Sequence, residues 1–393
     1  MDVPPGLDGG PIYLDYNATT PIDPAVVAAM QPYLDTRFGN PSSGHPYAIE
    51  PAEALDAARR RVAALIGADP TGIVFTGSGS EADNLAIRGT VLAAAGRRHV
   101  ITQATEHPAV LAACHALHRL HDIEVTVLPV DRDGLIDPQD LEAALTPHTA
   151  LVSIMVANNE TGTIQPIAEL AAIAHAHDVP FHTDAAQAAG KIPVDITALG
   201  VDLLTIAGHK MYAPKGIAAL YVRPSLHLEP LVYGGGQEHG RRAGTENVAY
   251  AVALGAAADI ARTDLESTQQ RLTSLRDRLH HELDDALPGL VRLNGHPHRR
   301  LPNTLNLSIE NTDGNDLLAA IPELAASTGS DCHTGAAQPS PVLSAMGQDA
   351  RQALAAIRLS LGRWTATADI DRAATLIAAA ARQARTDGDP AST

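Results

Sequence analysis

The sequence predicts an α/β protein: a large unit with a mostly parallel sheet covered by helices, followed by a smaller α+β part. Three observations carry that class. From Thr71 to Arg223, short apolar runs alternate with stretches whose apolar residues recur every three or four positions. A long helical segment follows, roughly from Val248 to Leu287. Beyond it come further strands, "TLNLSIE" and "AIRLSLG". A short continuous apolar run bounded by turn formers reads as a strand buried on both faces. Strand–helix alternation requires crossover connections, which leave neighbouring strands parallel.

The elements read off in order. "GIVFTG" is the first strand and "SEADNLAIRGTVLAAA" its helix. "HVITQA" leads into "PAVLAACHALHRL", "EVTVLPV" into "PQDLEAAL", and "ALVSIMVAN" into "IAELAAIAHAHD". "VPFHTDA", "DLLTIAG" and "IAALYVR" complete the set. The large domain is expected over residues 17–260, with 1–16 and 261–393 forming the small one. The final "RTDGDPAST" is polar and is expected to fray. No internal repeat of fixed period is present.

Composition narrows the function. The chain has 393 residues, 45% of them hydrophobic, which suits a globular protein with a substantial core. No apolar run reaches the roughly 18 residues of a membrane span, and "MDVPPGLDGGPIYLDY" lacks the pattern of a signal peptide. Two cysteines exclude a Cys-rich zinc framework, and no metal site is expected. Without an export signal, the reducing cytoplasm is the expected compartment. A net charge of −17 without a dense Lys/Arg block disfavours nucleic acid, "GRRAG" and "HPHRR" being small basic spots.

The two cysteines differ. Cys114, in "VLAACHAL", sits among apolar residues and reads as core. Cys332, in "STGSDCHTGAAQPSP", has turn formers, Asp331 and His333 around it. That composition suggests an exposed loop where a neighbouring imidazolium favours the thiolate. The residues alone leave a reactive thiol and an ordinary loop cysteine equally open.

The polar residues at the ends of the apolar runs are more informative. "GIVFT" is followed by Gly77, Ser78, Gly79 and Ser80, and "HVITQAT" by Glu106 and His107. "ALVSIMVA" ends in Asn158 and Asn159, "VPFHT" in Asp184 with Gln187 beyond, and "DLLTIAG" in His209 and Lys210. Parallel strands end on one edge, where ligands bind. Singly, each residue has a plainer role as a helix cap or a solvated side chain. Together they suit one cofactor. A Gly-Ser turn opening a helix offers amides to a phosphate, and a lysine in a cleft forms an imine with an aldehyde. A carboxylate keeps a pyridine nitrogen protonated, and an imidazole stacks on the ring. This is the equipment for pyridoxal 5′-phosphate. A nicotinamide site would need G-x-G-x-x-G and an acidic ribose partner, and a P-loop would need G-K-[ST]; both are lacking.

The chain also resembles the class V aminotransferase-type, fold type I pyridoxal-phosphate enzymes. Within these it is most similar to the cysteine desulfurases of iron–sulfur cluster assembly and to selenocysteine lyases. The resemblance runs from "YLDYNATTP" through "FTGSGSEADNLAI", "TEHPAV", "NNETG", "HTDAAQAAGK", "GHKMYAPKG" and "GGGQEHGRRAGTEN" to "IRLSLGRWT". It implies that Lys210 carries the cofactor as a Schiff base and shuttles protons. Asp184 would pair with the pyridinium, His107 would stack on the ring, and Gln187 would bond the phenolic oxygen. Gly79, Ser80 and His209 would hold the phosphate, joined by Thr245 of a second subunit in a homodimer. Asn159 and Arg358 would bind the substrate carboxylate, and Cys332 would take sulfur from L-cysteine as a persulfide, leaving L-alanine. Many members have Ser-Gly-His before the lysine; Ala207 stands here instead, which removes one phosphate hydrogen bond.

The same resemblance bears on the branch and its rivals. "CHTGAAQPSPVL" is closer to selenocysteine lyases, whereas Pro108 after His107 stands where the selenium enzymes are expected to carry an acidic residue. The expectation is cysteine desulfurase, with selenocysteine lyase the alternative and an aminotransferase on the same fold third. The sulfur acceptor, a protein or a small molecule, is left open.

Overall fold

Each of the seven apolar runs becomes a strand of one sheet. The computed structural model describes residues 3–94, 96–329 and 338–387. Its large sheet comprises β1 (Ile73–Thr76), β2 (His99–Gln103), β3 (Glu124–Leu128), β4 (Thr149–Ser153), β5 (Phe181–Asp184), β6 (Leu203–Ala207) and β7 (Ala218–Val222). The order across the sheet is β1-β7-β6-β5-β4-β2-β3. Within it β7 runs antiparallel to both its neighbours, β1 and β6, while every other pairing is parallel. One reversed strand leaves β1 pointing the same way as β6. The loops after β1, β2, β4, β5 and β6 therefore emerge together at one edge.

Burial explains the sequence pattern. Every residue of β1, β2, β4, β5, β6 and β7 is buried, as a sheet covered on both faces demands. The edge strand β3 is partly exposed and correspondingly less apolar. Helix α1 (Pro46–Leu65) packs on α4 (Val248–Ala286), which begins where the sequence places it. At their contact a Cβ on Gly255 would fall 2.7 Å from the Cα of Ala58, so only glycine permits this approach. Helix α2 (Gly79–Ala93) starts at Ser78, whose side chain accepts from the Glu81 N–H. Helix α3 (Pro108–His121) starts at His107 with proline in its first turn.

The single long helix α4 serves two cores. Its first turns, through Ala261, bury Ala251, Leu254 and Ala258 against the large sheet's helices. Farther on, Leu272, Leu275, Leu279 and Leu283 enter a second cluster with Leu14, Leu307, Leu359 and Ile377. Truncating one of these leucines to alanine costs about 2–5 kcal/mol. That second cluster underlies a three-stranded antiparallel sheet of β8 (Val291–Leu293), β9 (Thr304–Ile309) and β10 (Ala356–Ser360), in the order β10-β9-β8. The first three residues of the tail expected to fray are helical instead, and residues 388–393 lie outside the described residues. Helix α5 (Thr367–Asp387) continues through Arg385, Thr386 and Asp387, because no glycine or proline interrupts it before Gly388.

Candidate active site

The edge where β1, β2, β4, β5 and β6 end gathers most of the residues singled out from the sequence. Gly79 and Ser80 form the first turn of α2, so their amides lie at its positive end. A Cβ on Gly79 would lie 3.3 Å from the Ala207 Cβ at the end of β6, which brings this turn close to the segment carrying His209 and Lys210. The His209 Nδ1 lies 3.2 Å from the Thr19 hydroxyl, and its carbonyl accepts from the Thr20 N–H and hydroxyl, both at 3.0 Å. Burial, helped by Lys210, Lys215, Lys191 and His107, pushes the His209 imidazole down to about 4. The neutral ring, with one N–H to donate, is therefore its form at pH 7.

Lys210 follows β6 in a 3-10 turn. Its ammonium donates to the Asn17 carbonyl at 2.5 Å and the Ala18 carbonyl at 2.9 Å. Asp184 ends the adjacent strand β5 and is 7% exposed. One of its oxygens accepts from the Ala186 N–H at 2.8 Å. Burial holds the Asp184 carboxyl above its ordinary range, against the opposing pull of Ala186, His107 and Lys210. A buried carboxylate in this state gains most from a new cationic donor such as a pyridinium. His107 caps α3, its Nδ1 accepting from the Ala109 N–H at 3.1 Å, so in the neutral ring Nε2 bears the proton.

Behind the site lie carboxyls that the sequence reading left without a role. Glu106 is fully enclosed, and its Oε1 accepts from the Met155 N–H at 2.6 Å and the Gln103 amide at 2.8 Å. It therefore joins the ends of β2 and β4, the strands preceding His107 and Asn159. Burial pushes the Glu106 carboxyl up to about 8. Asp83 on α2 is held well above the usual carboxylate range by burial and then by Asp184. Beside it the buried His182 imidazole is pushed down to about 3 by burial alone, with its ring nitrogens against Ser153 and Thr205.

Asn17 is the junction that sequence reasoning missed. Its carbonyl accepts from Lys210 and from the Gln187 Nε2, the latter at 3.0 Å. Its side chain receives Lys191 Nζ at 3.3 Å and Asn303 Nδ2 at 3.0 Å, and donates to the Asn159 carbonyl at 3.1 Å and Thr304 at 2.8 Å. Its position in a polar run directly after an apolar strand, "IYLDYNATT", was the available signal. Arg358, on β10 and 5% exposed, donates Nη2 to Asp15 at 2.8 Å and to the Ser327 hydroxyl at 2.9 Å, and Nη1 to the Asn159 carbonyl at 3.3 Å. Arg358 thus meets the backbone of Asn159, and the structure brings these two positions together.

Cys332 lies outside the described residues. The segments flanking it meet at Glu160, next to Asn159. Ser340 donates to Glu160 Oε2 at 2.6 Å, and a Cβ on Gly329 would come within 3.1 Å of the same oxygen. Cys114 is buried in the core between α2 and α3, and burial followed by Glu106 pushes its thiol up to about 12. Thr245 is exposed, three residues beyond Arg242, which pairs with Glu81 on α2 at 2.8 Å. The same segment is held by Glu238, whose carboxylate takes two 2.8 Å bonds from Arg59. No helix of the described residues is long and apolar enough to cross a membrane.

The mostly parallel sheet, its covering helices and the smaller α+β part have the architecture of the fold type I pyridoxal-phosphate enzymes. The family model for aminotransferase class-V matches residues 12–373. The cysteine desulfurase IscS of Dictyoglomus turgidum is 45% identical over 363 residues, which is 92% of each chain. A cysteine desulfurase of Trichormus azollae is 48% identical over 363 residues, 92% of this chain and 90% of that one. A solved NifS-like protein superimposes with a TM-score of 0.87 at 34% identity, over 94% of this chain and 98% of its own. The chain belongs to the class-V aminotransferase family and, within it, to the cysteine desulfurase group.

Proposed function

We propose that this protein is a cysteine desulfurase that converts L-cysteine to L-alanine with pyridoxal 5′-phosphate and passes the sulfur to an acceptor. The observation that carries this reading is the convergence of Lys210, Asp184, His107 and the α2 N-terminus at one sheet edge. Their chemistry fits the cofactor. Gly79, Ser80 and His209 would hold its phosphate, Asp184 its ring nitrogen, Gln187 its phenolic oxygen and Lys210 its aldehyde carbon, with His107 over the ring. When bound, the cofactor supplies an electron sink for the bond-breaking steps. Ala207 brings no hydroxyl to the phosphate side, which leaves more of that binding to the amides and His209.

The chain's own groups do the rest. Arg358 and Asn159 hold the substrate carboxylate. The amine of Lys210 removes the substrate's Cα proton and returns protons to carbon. The Cys332 thiolate attacks the substrate sulfur; an S–S bond forms as the carbon–sulfur bond breaks. The electron pair left on carbon is protonated to give alanine. The persulfide on Cys332 then moves to a thiol or another nucleophilic acceptor. Glu160 and Ser327 support this assignment by anchoring the flanks of the Cys332 segment beside Asn159 and Arg358. A thiolate nucleophile suits a reducing compartment, and the cytoplasm is proposed on that ground.

The active unit is proposed to be a homodimer, with Thr245 reaching the partner's phosphate. Exposed aromatic surface supports a subunit contact. Phe38 and Tyr47 stack with ring centroids 5.6 Å apart while remaining 71% and 69% exposed. The test of function is alanine and sulfide production from L-cysteine, with L-selenocysteine assayed alongside, by wild type, Cys332→Ser and Cys114→Ser. Wild type and Cys114→Ser are expected to turn over cysteine, and Cys332→Ser to bind cofactor without doing so. Full desulfurase activity in Cys332→Ser would overturn the assignment.

A further inference from the structure

Among its 28 basic residues the chain has only three lysines, Lys191, Lys210 and Lys215. Lys191 has no part in the proposed desulfurase chemistry, yet it is 8% exposed and joined to the same junction as Lys210. Its Nζ donates to Gln187 Oε1 at 2.7 Å and to Asn17 Oδ1 at 3.3 Å. Gln187 in turn donates Nε2 to the Asn17 carbonyl at 3.0 Å.

These contacts decide which way the Gln187 amide faces. In the orientation observed, Oε1 meets a donor and Nε2 meets an acceptor. Rotating the amide by half a turn would set Oε1 against the Asn17 carbonyl and the NH2 against the amine, leaving both ends mismatched. Nε2 bears two hydrogens, and the Asn17 carbonyl takes one. The second remains for an anionic oxygen in the site. We propose that Lys191 is a positioning residue that fixes the Gln187 amide with its NH2 turned toward the cofactor's phenolic oxygen. The proposal rests on the desulfurase function proposed for this site, in which Gln187 bonds that oxygen.

The chemistry favours lysine in this place. Burial, and after it the neighbouring Lys210 and Arg358, hold the Lys191 amine well below its ordinary range. Its N–H groups match its two oxygen partners, and the lowered value limits the charge it places beside Lys210. An arginine would stay charged there.

The experiment compares wild type with Gln187→Ala, Lys191→Met and the double variant, each prepared without cofactor. Affinity for pyridoxal 5′-phosphate and the pH titration of the bound cofactor's visible band are measured. Gln187→Ala is expected to bind about tenfold more weakly, the effect of one hydrogen bond to a charged acceptor, and to shift the titration. Lys191→Met is expected to reproduce both changes, and the double variant to be no worse than Gln187→Ala. That non-additivity is the signature of one residue acting through the other. Wild-type behaviour of Lys191→Met beside a weakened Gln187→Ala overturns the role of Lys191 and leaves that of Gln187 standing. Wild-type behaviour of Gln187→Ala overturns both. If Lys191→Met does not fold, Lys191→Gln replaces it, since it keeps an N–H donor. Affinity within about twofold of wild type supports the proposal, and a loss like that of Gln187→Ala overturns it.

Discussion

Replacing Glu106 by glutamine should make the protein more stable at neutral and alkaline pH. In the fold its carboxyl is raised by burial from 4.5 to about 8. The unfolded chain therefore releases this proton first as pH rises, and folding must retain it. For an acid whose value is raised in the folded state, the full contribution is present below about 4.5 and is lost as pH climbs to about 8. Each pH unit in that window is worth about 1.4 kcal/mol, which sets a ceiling of about 5 kcal/mol. Relaxation of the surroundings lowers the expected gain to about 2–5 kcal/mol at pH 8. Glutamine keeps the Oε1 that accepts from Met155 and Gln103. Its NH2 takes the place of Oε2, which has no hydrogen-bond partner among the described residues. Urea unfolding of both proteins between pH 5 and 9 supplies the comparison. Their stability curves should diverge steadily up to about pH 8 and run parallel above it. Parallel curves throughout, or a glutamine variant less stable at pH 8, would refute the idea that burial keeps this carboxyl protonated.

Two further outcomes test the site. Borohydride treatment of the cofactor-loaded protein should label Lys210 and neither Lys191 nor Lys215, and Lys210→Ala should lower turnover by at least about a thousandfold; peptide mapping that finds the label on Lys191 would reassign the imine. Mixing Lys210→Ala subunits with Thr245→Ala subunits should restore one working site per mixed dimer, and no recovery in dimers shown to have exchanged would count against a shared site.

The residues with local signatures were legible in the sequence. A strand buried on both faces must be a short apolar run, so all seven strands of the large sheet could be located. The residue after such a run lies at the sheet's edge, which singled out His107, Asn159, Asp184, His209 and Lys210 together. Cys114 declared itself core by its neighbours. Other features depend on contacts remote in sequence. Asn17 meets Gln187 across 170 positions, Lys191 across 174 and Lys210 across 193, and Arg358 meets Asp15 across 343. No periodicity or local motif encodes such pairs, because they arise when the N-terminal segment is laid between the two cores. The shifted titrations of Glu106, Asp83 and His182 likewise follow from enclosure by several elements at once. The sequence alone therefore determined which strand-end groups reach the sheet's edge, since strand period and residue type are local properties. Only the tertiary structure decided which of them touch, which way the Gln187 amide faces and which carboxyls are held above their ordinary range, because desolvation and hydrogen-bond pairing exist only after the chain has closed around them.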